Sequence, residues 1–596
     1  VAKVVDDDEV STRKVGIGTQ VTVHDFEFDE DITYGIVGAT EVDMKNNKIS
    51  NESPVGKALI GAKKGDEVDV ETPGGVIKYK ILSIKFILDN QIFLKRSVKM
   101  GDIVELKKVR EEKEAKLKEY GFNTRPDSFK YTHSLKEVMA LEPGTKDVSV
   151  AGRVMSKRKM GKISFIDLRD VEGRIQLCMK RDDLGEELYK KIHETLDVGD
   201  FIGVTGDIFI TGSGEKTVQV YKYTFLGKAL RPLPEKFHGI TNRETLYRER
   251  HLDLIMNDET KKRFLLRSKV IKLIREFLDN KGFIEVETPV LQNTASGATA
   301  RPFITHHNTY DADVFLRISP ELTLKKLIIG GFTNIYEIAR DFRNEGISVT
   351  HLQDFTMIEG YSAYYNYKDN MKLTSDLIKY IISNINNGDL KIMIGDTEVD
   401  FGNEWPEIGF RDLILKDSGI DIDKYQTASE LLEEIKKNKI DLETPDLDKL
   451  GRGNLIDQLY KKVSRPKMIN PVFVTKHPVD LSPLARSNDE DPTVSDRFQL
   501  VVNGQEIING YSELVDSKEQ DKRLREQSEL KAKGDEEAMS KDNEYIKAME
   551  YGMPPISGWG LGIDRFLQFL TNSYNIRDVV LYPLLKKREN VEDDEE

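Results

Sequence analysis

The chain has 596 residues, and its 89 lysines and arginines against 103 aspartates and glutamates give a formal net charge of −14. At about 150 residues per domain this length suggests roughly four units, and 38% apolar with 32% charged residues is a soluble globular composition. One cysteine, Cys178, excludes an intrachain disulfide framework and a cysteine-based zinc site. No apolar run reaches the length of a membrane span, and Val1-Ala2-Lys3 leading into Asp6-Asp7-Asp8 lacks a signal-peptide core, so a cytoplasmic location is the default expectation.

Residues 12–85 read as a small mixed domain. The β-like runs Val21-Thr22-Val23, Ile32 to Val37 and Val76 to Ile81 are separated by turn chemistry such as Pro73-Gly74-Gly75. A helix of alternating sign follows from Glu105 to Tyr120, as a solvated face or a contributor to RNA binding. Five β-rich runs, 147–155, 162–168, 173–179, 201–210 and 217–226, with a helical stretch near 183–195 between the third and fourth, give the order of a five-stranded OB barrel. From 260 to 585 long helices alternate with strands, as in one large α+β domain. The end, Glu592-Asp593-Asp594-Glu595-Glu596, reads as a solvated acidic tail.

Two local patterns mislead. Gly212-Ser213-Gly214-Glu215-Lys216-Thr217 lacks the glycine that a phosphate loop places directly before its lysine, and its context is a hairpin. His306-His307 has no metal-ligand spacing around it. Three other segments carry chemistry. A helix from about Lys261 to Lys281 runs into a strand, Ile284 to Pro289. A strand–loop–strand follows: Asn334 to Asn344, a loop through Gly346 to His351, then Asp354 to Tyr364. Period-two geometry places Phe355, Met357, Glu359 and Tyr361 on one face of the second strand, below an arginine, Arg343, that ends the first. The third is Gly558-Trp559-Gly560-Leu561-Gly562-Ile563-Asp564-Arg565, a strand without side-chain bulk entering a helix that carries an arginine in its first turn. Phosphates favour such places, because amide donors and guanidinium charge coincide there.

Together these segments resemble the three signature motifs of class II aminoacyl-tRNA synthetases. Phe342-Arg343-Asn344-Glu345-Gly346-Ile347-Ser348 is similar to motif 2 of the lysyl family in particular. Ala300 to Asn308, Leu481-Ser482-Pro483-Leu484-Ala485 and Asn509-Gly510-Tyr511-Ser512-Glu513-Leu514 are similar to further segments of that family, and the likeness runs from about Lys108 to Lys586. The resemblance implies a multi-domain α+β chain: an FKBP-like domain (1–86), a linker and charged helix (87–143), an OB anticodon-binding domain (144–230), a class II catalytic domain with an antiparallel sheet flanked by helices (231–586), and a tail (587–596). It further implies a homodimer joined through motif 1, with ATP, L-lysine and tRNA(Lys) as partners and Mg2+ as cofactor. Arg343 and Arg565 would be catalytic, holding the α- and γ-phosphates of ATP. Glu345, His351, Phe355 and Glu506 would also meet the nucleotide, with Phe355 stacked on adenine. Gly297, Glu321, Glu359, Tyr361, Asn509, Tyr511 and Glu513 would form the lysine pocket. Carboxylates suit a desolvated ammonium, whereas an aspartyl or asparaginyl sibling needs cationic or amide donors. In the barrel, Phe165 would stack on an anticodon base while Gln176 and Glu215 read its edge.

The chain departs from the family pattern twice. Gln499 stands where a glutamate usually joins the equivalent of Glu506 as a magnesium ligand, and a neutral amide is the weaker ligand. His351-Leu352-Gln353-Asp354 replaces the usual Asn-Pro-Glu before Phe355. The first domain is a separate matter. Thr33 to Gly38, Ile49 to Pro54 and Gly61 to Val68 resemble the C-terminal, FKBP-like domain of Gre transcription elongation factors, which implies docking on RNA polymerase. The opening Val1 to Asp6 resembles the end of that family's coiled coil, so a longer natural chain is expected. Two alternatives stand beside a lysine–tRNA ligase: an RNA polymerase-binding protein with an inactive synthetase body, and a translation-factor lysyl-transferase. Intact Arg343 and Arg565 weigh against the first and the OB barrel against the second.

Overall fold

Alternating burial along Thr19–Asp25, with Val21 and Val23 inside, sets the middle strand of the first sheet. A computed structural model describes residues 14–16, 19–26, 30–37, 48–51, 53–72, 75–86, 100–171, 173–234, 242–443, 447–532 and 539–587. The chain divides into two units, Val1–Leu233 and Pro234–Glu596.

In the first unit, Thr19–Asp25 pairs antiparallel with Glu30–Val37 on one side and with Gly75–Phe86 on the other. Lys48–Ser50 and Glu67–Thr72 complete a five-stranded sheet at its two edges. A short helix, Pro54–Leu59, is started by the Ser53 side chain and by proline at its first position. The expected β-runs are therefore present, while the Pro73-Gly74 turn, residues 1–13, the linker residues 87–99 and the acidic tail from 588 lie outside the described residues.

The five runs read as an OB barrel are Val148–Met160, Ile163–Arg169, Arg174–Lys180, Phe201–Ile210 and Lys216–Gly227, and they close into a barrel. Every second residue of Ile163–Arg169 points inward (Ser164, Ile166, Leu168). The helix between strands three and four breaks at Gly185 (φ 81°), leaving Arg181–Leu184 and Glu186–Thr195. The charged helix extends over Met100–Glu119; Leu117 is buried in the barrel core, and Lys113 reaches Asp197 at 2.5 Å.

In the second unit the eight-stranded sheet runs Ile284–Glu285, Asn334–Phe342, Asp354–Ala363, Ile556–Gly562, Gln505–Ser512, Val494–Val502, Val472–Pro478 and Glu407–Gly409. Only its two edge pairs are parallel. The helices Asp258–Asn280 and Tyr367–Ile385 cover one face and bury Ile274, Leu278, Ile378 and Ile381 against Ile358, Leu561 and Leu500. The strand expected over 284–289 is only Ile284–Glu285, because Pro289 has no donor and Thr288 instead donates from Oγ1 to Glu337 at 2.7 Å. Between 410 and 474 the helices Phe410–Ser418, Ala428–Lys437 and Arg452–Val463 form a satellite core of their own. No helix among the described residues is long and apolar enough to cross a membrane.

Candidate active site

The uncovered face of the large sheet holds a cavity of about 510 Å³. Cross-strand register explains what lines it. Glu359 lies opposite Gly560, Gly560 opposite Asn509, and Asn509 opposite Gln499. In the next row Tyr361, Gly558, Tyr511 and Arg497 follow one another in the same way. Directly opposed residues share a face, so two rows of polar side chains converge over a strand that carries only glycines there. A Cβ on Gly558 would stand 2.4 Å from Tyr361 Cε1 and 2.6 Å from Glu513 Oε1, so only glycine leaves the floor open. A β-bulge between Leu500 and Val501 shifts the register, and Glu506, of even number, joins the odd-numbered face.

At one end of the cavity the groups are cationic and reachable. Arg343 sits over the Phe355 ring, 5.1 Å from its centroid, and Arg565 begins the helix Ile563–Leu570. That helix is fixed by buried Asp564, which accepts from the Thr356 backbone N–H at 2.7 Å and pairs with Arg267. The motif 2 loop is fixed in turn: Ile576 N–H donates to Val349 O at 2.8 Å, and Ser348 Oγ meets His351 Nδ1 at 2.7 Å. Burial and the nearby Arg565 and Lys461 push His351 down to about 4, so its imidazole is neutral near pH 7. Glu345 lines the same end, and Asp354, the substituted loop residue, is engaged by Arg340.

The other end is anionic and closed. Glu321, Glu359 and Glu513 are 7%, 5% and 2% exposed, which sets this end apart from the cationic one. Ser319 Oγ and Tyr361 OH donate to the two oxygens of Glu359 at 3.0 and 2.8 Å. Tyr511 OH donates to Glu321 Oε1 at 2.7 Å. Burial, with Glu321 and Asp341 nearby, raises Glu359 to about 8, and burial lifts Glu513 well above the usual carboxylate range against the opposing pull of Lys325. Gly297 lies beside Glu321 in the left-handed region (φ 93°), and that backbone conformation is what calls for glycine, since an added Cβ would make only ordinary contact with Glu321 Cβ at 3.5 Å. Asn509 Oδ1 already accepts from Arg497 Nε at 2.8 Å, so Asn509 presents its amide donor rather than an acceptor.

Gln499 Nε2 donates to Glu506 Oε2 at 2.9 Å, leaving Gln499 Oε1 buried without a hydrogen-bond partner. The described residues contain no group of three or more His, Cys, Asp or Glu that could hold a metal, and His306 is occupied by Asp311 and Asp313.

Residues 242–586 match the family model "tRNA synthetases class II (D, K and N)", which spans aspartyl, lysyl and asparaginyl members. Residues 148–226 match an OB-fold nucleic acid binding domain, and 10–86 the C-terminal domain of the transcription elongation factors GreA/GreB. The chain is 44% identical over 492 residues to a lysine–tRNA ligase of Thermosipho africanus, covering 81% of this chain and 96% of that one. It is 45% identical over 490 residues to that of Pelotomaculum thermopropionicum (82% and 96%), and 44% over 490 to that of Carboxydothermus hydrogenoformans (82% and 99%). The chain belongs to the class II lysine–tRNA ligases.

In the ligase's barrel, Phe165 and Gln176 share one face with the rim residue Glu215. Phe165 is half-buried and lies outside the barrel core, pairing across to Cys178 and Arg158. Gln176, in contrast, is 4% exposed and committed at both ends of its amide: Arg158 Nη2 donates to its Oε1 at 3.0 Å, and its Nε2 donates to Thr217 Oγ1 at 2.9 Å. Glu215 accepts from Arg174 at 2.8 Å. A base edge would meet Gln176 only at its remaining amide hydrogen or its second carbonyl lone pair. Three ligase residues escaped the sequence reading. Arg497 is opposite Tyr511 in the register, Lys461 lines the cavity from the satellite helix, and Lys325 stands one helical turn beyond Glu321. The i, i+4 spacing of Glu321 and Lys325 was the one available signal, and it is the pattern of any solvated helix face.

Proposed function

We propose that the cavity activates L-lysine at its anionic end against ATP at its cationic end. The observation that carries this reading is three buried carboxylates and two phenols facing Arg343 and Arg565 across one sheet. A carboxylate oxygen of lysine attacks the α-phosphorus in line; the bond from that phosphorus to the β-bridging oxygen breaks, and pyrophosphate leaves with its electron pair. Protein groups contribute positioning and charge rather than covalent chemistry. Arg343 would hold the α-phosphate and Arg565 the γ-phosphate, with Glu345 and His351 beside the nucleotide and Phe355 under its base. Glu321, Glu359, Tyr361, Asn509, Tyr511, Glu513 and the backbone at Gly297 would hold lysine. In the second step the terminal ribose hydroxyl of tRNA(Lys) attacks the acyl carbon and AMP leaves.

Glu506 and Gln499 together offer oxygen donors, one of them the unpartnered Gln499 Oε1, and this set fits a Mg2+ ion that also keeps water and phosphate oxygens. Such an ion would neutralise charge on the triphosphate. Turning the Gln499 amide to present Oε1 costs its hydrogen bond to Glu506, so we expect Gln499→Glu to lower the magnesium concentration at half-maximal rate several-fold.

We further propose the domain limits 1–86, 87–143, 144–230, 231–586 and 587–596, a homodimer, an anticodon site around Phe165, Gln176 and Glu215, and a polymerase-docking role for the first sheet. Sedimentation tests the dimer, and pull-down of RNA polymerase by the full chain tests the docking. The activity itself is tested by amino-acid-dependent ATP–pyrophosphate exchange with lysine, aspartate and asparagine in parallel. Exchange with lysine alone supports the assignment; exchange with aspartate or asparagine, or with none in folded protein, removes it.

A further inference from the structure

The pocket assigned to lysine contains a buried lysine of its own. Lys325 is 0% exposed, and its Nζ lies 2.5 Å from Glu321 Oε1 and 2.5 Å from Glu513 Oε2. Its ammonium also sits over the rings of Tyr511 and Tyr545, at 5.7 and 6.0 Å from their centroids. It does not line the cavity and reaches both carboxylates from the protein side. The outward oxygen of Glu513, Oε1, has no hydrogen-bond partner and lies beside Gly558.

We propose that Lys325 is a specificity-determining positioning residue, a resident countercharge that matches the pocket to the two ammonium groups of free lysine. The inference rests on the pocket reading above. In the loaded pocket three carboxyl groups (Glu321, Glu359, Glu513) face three ammonium groups, that of Lys325 and the two of lysine, whose own carboxylate goes to the phosphorus. Two carboxylates anchored on different elements, a helix start and a strand end, are tied by one ammonium at a fixed separation. Burial alone would strip the proton from Lys325, but Glu321 and Glu513 outweigh it and hold the charge in place. The other titratable groups facing this cluster are Tyr361 on the Asp354–Ala363 strand, and Tyr545 with Asp542 at the Asn543–Glu550 helix. In the empty pocket burial already favours the protonated form of Glu359; without Lys325 a further carboxyl would hold a proton and give it up only when lysine arrives.

The test is calorimetry of lysine binding to the full chain and its Lys325→Met variant in buffers of different ionisation heat, with exchange kinetics for lysine and ATP. We expect lysine affinity to fall on the order of 100-fold, about one additional proton to be released per lysine bound, and the KM for ATP to stay unchanged. Wild-type affinity and proton release in the variant, or equal losses for lysine and ATP, would overturn the proposal. Should Lys325→Met not fold, the same substitution is compared within Glu321→Gln, where a carboxylate leaves along with the ammonium. The double variant restores the charge balance that Glu321→Gln alone upsets, so its lysine affinity is expected to equal or exceed that of Glu321→Gln; a second loss on the order of 100-fold contradicts it. A wild-type protein that ignores lysine sinks the pocket reading itself, and a separate outcome, lysine binding indifferent to Lys325, sinks only this inference.

Discussion

The two ends of the cavity are built on one sheet and solve opposite problems. At the cationic end the guanidinium groups stand partly in solvent, Arg343 over Phe355 and Arg565 at a helix start. At the anionic end Glu359 and Glu513 are nearly sealed, and their ionisation is resisted by burial. On the proposed reading, an open cationic end suits a triphosphate that arrives with its own hydration and metal. A sealed anionic end makes the absence of a ligand charge costly, and so selects by leaving unmatched groups unpaired. On that reading position is set where the site is open, and identity where it is dry.

Arg343→Ala breaks the open end and carries the largest expected effect: pyrophosphate exchange slows about 10²–10³-fold or more, with lysine binding in calorimetry almost unchanged. Gly558→Ala breaks the sealed end, because its Cβ has no room beside Tyr361 and Glu513 Oε1. The KM for lysine should rise by roughly 10–100-fold while that for ATP holds, as expected when uniform binding of one substrate is lost. The pH profile sharpens the contrast. With Glu359 raised to about 8 in the empty pocket, the bound ammonium favours its ionised form. The KM for lysine should therefore fall as pH rises from 6 toward 8, by up to about tenfold per unit, while the KM for ATP changes little. A flat lysine profile over that window would count against an anionic pocket.

Asp341→Asn gives the smallest effect. Asp341 is buried between Arg317 and the Arg343 strand end, neither of its oxygens has a well-formed hydrogen bond, and burial lifts it to about 7. Its folded-state value lies above the unfolded one, so the folded protein binds that proton more tightly. Stability is fully present below about pH 4 and is lost as pH rises toward 7. Asp341→Asn should raise the melting temperature of the catalytic unit by a few degrees at pH 8 and leave it unchanged at pH 4.

Most of this architecture was legible in the sequence, and for identifiable reasons. Strand parity alone grouped Phe355, Met357, Glu359 and Tyr361, and the glycines of 558–562 announced a bare strand. The five barrel runs alternated cleanly enough to be counted. Features that depend on tertiary register stayed hidden. The bulge at Leu500 and Val501, which aims Glu506 at Gln499, leaves no mark in residue types. Lys325 stands one turn after Glu321, a spacing common on solvated helix faces, and its ion pair with Glu513, almost two hundred positions away, leaves no local mark. Gln176 looked free to read a base because nothing in the chain nearby shows that Arg158 and Thr217 occupy its amide.

The measurement that tests the central claim most directly is calorimetric titration of the full chain with lysine and with norleucine, which has the same carbon chain without the terminal ammonium. Lysine is expected to bind and norleucine to bind at least about 10³-fold more weakly, since the Glu513 oxygen that Lys325 does not engage would be left without a partner. Norleucine binding within about tenfold of lysine, a gap that apolar contact alone supplies, would contradict it.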